Sequence, residues 1–127
     1  MIDGVFNSEA IPVLERLARF AGTRHRMIVN NIANFDTPGY RPTDLSVRDF
    51  QKQLAQVVAD RRAGRTPAGI EQEAAPIGAN ILFHDGNDRD LDRTMQDLVE
   101  NFFAFRLANE LMHDRFNLIN SAIAERI

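Results

Sequence analysis

The sequence predicts a mainly α fold, with long N- and C-terminal helices, a short helix between them and an irregular middle segment. Near each end, apolar residues recur at alternating steps of three and four residues, which is the spacing of a heptad seam on a helix. Residues 63–80 instead hold three glycines and two prolines without a sustained period. The 127 residues fit one structural domain, which we divide into residues 1–34, 35–90 and 91–127.

The N-terminal helix is predicted to begin after a polar tail of about eight residues, with Asn7 or Ser8 as its cap. It should end near Asn34. One seam position, His25, is polar, and the pattern is that of an amphipathic helix that needs a partner. The seam consists of Ile11, Leu14, Ala18, Ala21, His25, Ile28 and Ile32.

Helix-stopping residues follow together at Asp36, Thr37, Pro38 and Gly39. Proline at the second position and glycine at the third are what a type II turn requires. The sequence therefore predicts such a turn directly after the first helix, with Tyr40 and its neighbour Arg41 held outward.

The middle of the chain offers a shorter helical pattern from Leu45 to Arg62, capped by Asp44 or Ser46. After it, residues 63–80 are expected to form a linker or flexible loop. A short apolar run at residues 81–83 is expected to be one extended segment packed on the helices. The apolar side of the middle helix carries Phe50, Leu54, Val57 and Val58.

The C-terminal helix is predicted from Leu91 to about residue 126, with an acid-rich start that suits the positive end of the helix dipole. Its one polar seam residue, Asn109, either is buried and fixes the packing register or reaches solvent at the edge of the stripe. The expected cap residues are Asn87, Asp88 and Asp90. The seam consists of Leu91, Met95, Leu98, Phe102, Phe105, Asn109, Met112, Phe116, Ile119 and Ile123.

The length of this helix suggests assembly. It would run about 54 Å, whereas a compact domain of this size is only about 36 Å across. Part of its apolar stripe must therefore be exposed in a monomer or covered by other subunits.

The sequence contains no recognisable catalytic or metal-binding pattern. The chain has no cysteine, no serine in a nucleophile elbow and no histidine pair at metal-ligand spacing. The acidic run at residues 85–92 fails as a calcium loop, because Arg89 and Asp90 stand at its fifth and sixth positions. We expect neither an enzyme nor a cofactor or metal. The scattered arginines predict no nucleic-acid face, and the sequence predicts neither a membrane span nor a cleaved signal peptide.

Two motifs resemble a known family. Residues 30–34, Asn-Asn-Ile-Ala-Asn, followed by residues 37–41, Thr-Pro-Gly-Tyr-Arg, resemble the N-terminal signature of the flagellar basal-body rod and hook proteins. Residues 84–92 resemble the proximal rod members of the same family. That second motif continues with Met95, Leu98, Glu100 and Asn101.

The resemblance implies a structural subunit of the proximal rod, the periplasmic drive shaft of the bacterial flagellum. Its terminal helices would pair as an antiparallel coiled-coil-like bundle and pack against other subunits in a helical tube that transmits torque. The short middle region would face outward. The signature turn would touch neighbours, although Phe35 stands where relatives often have a small residue. The turn residues carried over are Asn30, Asn31, Asn34, Thr37, Pro38, Gly39 and Tyr40.

The partners implied by the resemblance are copies of the chain itself, other rod proteins, the membrane ring with its base-ring adaptor, and the type III export apparatus. Such a protein would leave the cell uncleaved through the export channel. The alternative interpretation is a soluble helical adaptor or export chaperone that binds the amphipathic helix of a partner.

Overall fold

The computed structural model describes residues 10–76 and 87–125, with residue 76 and residues 87–90 described by their backbone alone. It confirms the mainly α class with long terminal helices. The predicted tail, the segment at residues 81–83 and the last two residues lie outside the described residues. The elements in chain order are α1 (Ala10–Ala33), β1 (Thr43–Leu45), α2 (Val47–Arg62), β2 (Ala74–Pro76) and α3 (Asn87–Ala124).

The two long helices pack against each other in antiparallel directions, as predicted. The Nδ2 atom of Asn101 donates to the carbonyl of Ala21 at 2.7 Å. Arg24 lies 3.5 Å from Asp97. A step forward along α1 is therefore a step backward along α3.

Helix α3 is much longer than α1. Its 38 residues span about 57 Å, against about 36 Å for the 24 residues of α1. Continuing the register of the Ala21 contact places Ala10 opposite about residue 112. The last third of α3 therefore extends past the first described residue of α1.

Another face of α1 packs against the middle of the chain. The rings of Phe20 and Phe50 stack with centroids 4.0 Å apart, and Leu45 completes this buried cluster. Helix α1 is thus the central element, with α3 on one side and β1 and α2 on another. Partly buried side chains surround the cluster: Leu17, Met27, Leu54 and Ile70.

Both ends of α2 are capped. The hydroxyl of Ser46 accepts from the amide of Asp49 at 3.1 Å, which confirms one of the two predicted caps. At the other end Gly64 has φ +71°, and the amide of Arg65 donates to the carbonyl of Asp60 at 2.8 Å. This is the Schellman arrangement, in which a left-handed glycine ends the helix. The predicted start at Leu45 was two residues early, because Leu45 ends β1.

The two short strands were not predicted from the sequence. They pair antiparallel, with Thr43 opposite Pro76 and Leu45 opposite Ala74. Three residues are too few to show an alternating pattern. The predicted linker is irregular between α2 and β2, but the side chain of Gln53 on α2 holds it in place. Nε2 of Gln53 donates to the carbonyl of Glu71 at 3.2 Å, and Oε1 of Gln53 accepts from the amide of Glu71 at 3.0 Å.

Candidate functional site: the signature turn and the exposed faces of α3

The turn after α1 has the predicted geometry. The helix ends at Ala33, the amide of Tyr40 donates to the carbonyl of Thr37 at 3.2 Å, and Gly39 has φ +76°. A positive φ at the third residue defines the type II turn and favours glycine there. The first role of the Pro-Gly pair is therefore to reverse the chain.

Tyr40 does not project outward, so that expectation was wrong. Its ring is half-buried, and its hydroxyl accepts from Nδ2 of Asn30 at 3.0 Å and donates to Oδ1 of Asn31 at 2.9 Å. The two asparagines in the last turns of α1 supply one donor and one acceptor for a single hydroxyl. Tyr40 thus fastens the reversed chain back onto α1, and only Arg41 of the expected pair is exposed.

Asn31 is buried and holds β1. Its Nδ2 donates to the carbonyl of Thr43 at 2.8 Å, and its Oδ1 accepts from the amide of the same residue at 3.2 Å. Such paired contacts need an amide, because a carboxylate has no donor. The side chain of Asn31 therefore satisfies both backbone groups of Thr43, as a neighbouring strand would.

The remaining signature residues bond mainly to one another. Nδ2 of Asn34 donates to the carbonyl and to Oδ1 of Asn30, at 2.9 and 3.1 Å, and the hydroxyl of Thr37 donates to Oδ1 of Asn34 at 3.3 Å. Phe35 is half-buried, whereas Pro38 and Gly39 are exposed at the tip. The motif is thus an internal brace with an exposed tip, and its contact with neighbouring subunits stays a prediction.

A buried arginine joins three elements. Arg24 is only 8% exposed; it donates to both oxygens of Asp44 on β1 and lies 3.5 Å from Asp97 on α3. Burial disfavours its charge, but the hydrogen bonds and charges of Asp44 and then Asp97 outweigh burial and raise the pKa of Arg24 above its ordinary value. The guanidinium therefore stays charged and ties the middle of the chain to both long helices.

The seam predicted on α1 lies largely inward. Ala21 and Ile28 are buried, and His25 is exposed while the adjacent Arg24 takes the interior position. The other seam residues are half-buried: Ile11, Leu14, Ala18 and Ile32. The predicted caps of α3 have no described side chains, although the helix does begin at Asn87.

The seam predicted on α3 is only half correct. Its members at every seventh position starting from Leu91 are half-buried, except Phe105, which is 40% exposed. The other half of the predicted seam is exposed, and we call it the outer row: Met95, Phe102, Asn109, Phe116 and Ile123. In its place the residues one position earlier are buried or half-buried, and we call them the inner row: Thr94, Asn101, Ala108, Arg115 and Ala122.

Small residues and one hydrogen bond explain why the inner row, and not the outer row, packs against α1. Ala21 and Ala108 are both completely buried, and a side chain at Gly22 would meet the ring of Phe105 at 3.9 Å. Small residues let the helices approach, and Asn101 then satisfies its amide on the carbonyl of Ala21. The interior asparagine is thus Asn101 and not Asn109. The small residues Ala21 and Gly22 on α1 were the signal in the sequence that could have indicated it.

The outer row leaves large apolar side chains in solvent. Met95 is 46% exposed, Phe102 48%, Phe116 50% and Ile123 58%. Among soluble proteins in general, large contiguous patches of exposed apolar residues mark interaction surfaces. A further set begins beside the outer row, at Val99 between Met95 and Phe102, continues around α3 and is exposed as well. We call it the distal set: Val99, Phe103, Leu107, Leu111 and Leu118.

Asn109 stands in the middle of the outer row. It is exposed, and its Nδ2 donates to the carbonyl of Phe105 in its own helix at 2.9 Å. Within the single chain, the interpretation that Asn109 reaches solvent is therefore the correct one.

Within the described ranges, no three histidine or acidic side chains come together as metal ligands would. In the same ranges, no helix combines the length and the apolar character needed to cross a bilayer.

Comparison with known proteins gives this geometry a context. No protein-family model matches the chain. The flagellar basal body rod protein FlgB of Bacillus subtilis is 26% identical over 121 residues, which cover 91% of this chain and 94% of the relative. FlgB of Yersinia enterocolitica is 29% identical over 99 residues, 65% of this chain and 70% of the relative. The chain is related to the FlgB rod proteins.

A third relative extends the same result. FlgB of Borrelia hermsii is 23% identical over 131 residues, which cover 90% of this chain and 95% of the relative. The coverage reaches across nearly the whole chain, including both long helices. All three relatives are named as flagellar basal body rod proteins.

Proposed function

We propose that this chain is a structural subunit of the proximal rod, which assembles through its terminal helices into a helical tube and transmits torque. The observation that carries the proposal is the exposure of two apolar surfaces on α3, the outer row and the distal set. Relationship to FlgB supplies the setting in which other subunits cover them.

Two surfaces favour an extended assembly over a closed pair. Leu107 of the distal set lies about 140° around the helix from Phe102 of the outer row, at 3.6 residues per turn. One flat partner cannot cover both. Heterologous contacts that repeat from subunit to subunit can, and they generate a helical arrangement.

The energetic gain is large in sum. Covering an apolar side chain that is already half-buried contributes about 1 kcal/mol. The four apolar members of the outer row and the five members of the distal set together offer several kcal/mol per subunit.

The brace formed by the signature residues supports torque transmission. Asn30, Asn31 and Tyr40 fix the turn rigidly on α1, and Arg24 fixes β1 to both long helices. A load applied to α3 therefore reaches the middle region without a flexible joint. The exposed tip at Pro38 and Gly39 is the part of the turn that contacts a neighbour.

The relationship to FlgB supports the wider setting that we propose. The partners are copies of the chain itself, other rod proteins, the base-ring adaptor and the membrane ring. The chain reaches the periplasmic rod through the type III export apparatus without cleavage of a signal peptide.

The test is genetic and structural. A strain deleted for this gene should lack a rod and fail to swim, and restoring the chain with an epitope tag should return both and place the tag in purified basal bodies. A tag that remains in the cell, in complex with an exported protein, would instead identify the adaptor or export chaperone.

A further inference from the structure

The apolar packing between α1 and α3 does not by itself define how the two helices are aligned along their length. One row of α3 repeats a large apolar residue every seven positions, at Leu91, Leu98, Phe105, Met112 and Ile119. A displacement of α3 by one heptad, about 10.5 Å, therefore sets one large apolar side chain where another was. Such a repeat holds two helices together and leaves several registers open, unless a polar residue selects one of them.

The inner row supplies that polar residue, because one of its members carries an amide. Asn101 is only 3% exposed, and its Nδ2 donates to the carbonyl of Ala21 at 2.7 Å. Ala21 and its neighbour Gly22 are small, which lets a side chain of α3 approach the backbone of α1 at this point. The hydrogen bond thus depends on a particular stretch of α1.

A displaced register would remove this contact. With the antiparallel alignment of the Ala21 contact, a displacement by one heptad sets Asn101 opposite either Leu14 or Ile28. Both are large apolar residues, and Ile28 is only 1% exposed. The amide of Asn101 would then lie against hydrocarbon without its partner, which is costly for a buried polar group. Asn101 therefore disfavours both displaced registers.

The neighbouring ion pair is less selective. Arg24 lies 3.5 Å from Asp97 in the observed register. One displacement would set Ala104 in the place of Asp97, whereas the other would set Asp90 there, since each lies seven residues from Asp97. A second aspartate supplies the same charge, so the ion pair disfavours only one of the two displaced registers.

We propose that Asn101 is the positioning residue that sets the register of α3 on α1 in the assembled chain. The register fixes the height of the outer row relative to the signature turn, because Asn31 and Tyr40 fasten that turn to α1. Loss of the register would move the outer row by about 10.5 Å along α1. Subunits that repeat in a helical assembly need a constant spacing of their contact surfaces. This consequence for assembly rests on the proposed rod function, whereas the register belongs to the single chain.

Cysteine pairs report the register in purified basal bodies, because the chain has no native cysteine. Ala18 and Ala104 are half-buried and lie at the same height when the alignment of the Ala21 contact is continued. Ala104→Cys together with Ala18→Cys should therefore form a disulfide within one chain under mild oxidation. Ala104→Cys with Ile11→Cys or with His25→Cys should not, because each lies about 10.5 Å farther along α1. A link within one chain keeps the monomer mass on a denaturing gel, which separates it from links between subunits.

Two substitutions of matched length isolate the role of the amide. Asn101→Gln keeps a donor, whereas Asn101→Met has nearly the same length and shape without one. With Asn101→Gln, the Ala18 pair should remain the one that links, and the cells should swim. With Asn101→Met, the Ile11 or His25 pair should link as well, a shift of about 10.5 Å, or the chain should be lost from the basal bodies. Asn117→Met makes the same change at an exposed asparagine and should leave the links as in the wild type.

The outcomes separate this proposal from the rod assignment. An Asn101→Met chain that enters basal bodies and links only through the Ala18 pair would overturn the register role of Asn101. So would an Asn101→Gln chain that behaves like Asn101→Met, or failure of the Ala18 pair to link in the otherwise wild-type chain. Absence of the wild-type chain from basal bodies would instead contradict the rod assignment, and the cysteine pairs would then report the register in the complex that holds the chain in the cell.

Discussion

The guanidinium of Arg24 and the carboxylate of Asp44 form a bidentate ion pair, with Nε to Oδ1 at 3.0 Å and Nη2 to Oδ2 at 2.8 Å. Asp97 approaches the same nitrogen Nη2 from α3 at 3.5 Å. The chain thus places one cation where three elements meet. Removal of one partner from a buried ion pair is costly, because the other charge is left unpaired.

Arg24→Met should therefore destabilise the fold by about 2–3 kcal/mol, less than for a fully buried pair, since Asp44 and Asp97 keep some solvent contact. Urea unfolding measures the change. The matched control is Arg19→Met, which breaks the exposed pair with Glu15 and should cost under about 0.5 kcal/mol. Equal effects of the two substitutions would show that Arg24 does not join the three elements.

Tyr40→Phe should destabilise the fold by about 1 kcal/mol, because it removes the hydroxyl that bonds Asn30 and Asn31 and retains the ring. Amide exchange of residues in β1 should also accelerate, since Asn31 holds both the hydroxyl and Thr43. A tyrosine that projected into solvent would give no change in either measurement.

Gly39→Ala should cost about 1 kcal/mol, because alanine resists the φ of +76° found there. Space is not the cause, since nothing lies within 4 Å of the position that a Cβ atom would take at Gly39. Gly69→Ala is the matched control: its surroundings are equally open and its φ is not in the left-handed region. If thermal unfolding shifts both variants alike, the type II turn does not account for the effect.

Asp60 should titrate below the ordinary aspartate pKa of 3.8, because hydrogen bonds from Arg65 and Gln56 favour its charged form. The folded pKa lies below the unfolded one, so its contribution to stability is present above the unfolded pKa and is lost as the pH falls through the folded pKa. Arg65→Gln should raise the pKa of Asp60 in a carbon NMR titration. An unchanged pKa would mean that the Arg65 contact does not persist in solution.

Much of the fold was predictable because it follows from local chemistry. The end of α1, the type II turn and the Ser46 cap depend on a few consecutive residues whose conformational preferences are strong. The seam on α1 was also predictable, since one side of that helix is clearly more apolar than the rest.

The packing of α3 was not predictable, because apolar residues lie around most of its circumference. A heptad pattern places the largest apolar side chains in the buried seam, so it predicted that Phe102 and Phe116 would be buried. In the structure α1 packs against Asn101 and Ala108 instead. α1 packs against Asn101 and Ala108 because Ala21 is small and because its carbonyl accepts a hydrogen bond from Asn101. The large side chains that α1 does not cover are the ones that stay exposed on α3.

The strands and the buried arginine were missed for a related reason. β1 is held by Asn31, and the approach to β2 by Gln53, so neither depends on a pattern within the strand. Arg24 is buried because its carboxylate partners come from two other elements, distant in sequence.

The most direct test of the assembly surface is Phe102→Asp in the living bacterium, with Asn117→Asp as the control for added charge. Phe102 is 48% exposed, so the isolated chain should still fold and be exported. Basal bodies purified from the Phe102→Asp strain should lack the chain and the cells should not swim, whereas the control strain should swim normally. A complete rod and normal swimming with Phe102→Asp would contradict the claim that exposed apolar faces of α3 hold the subunits together.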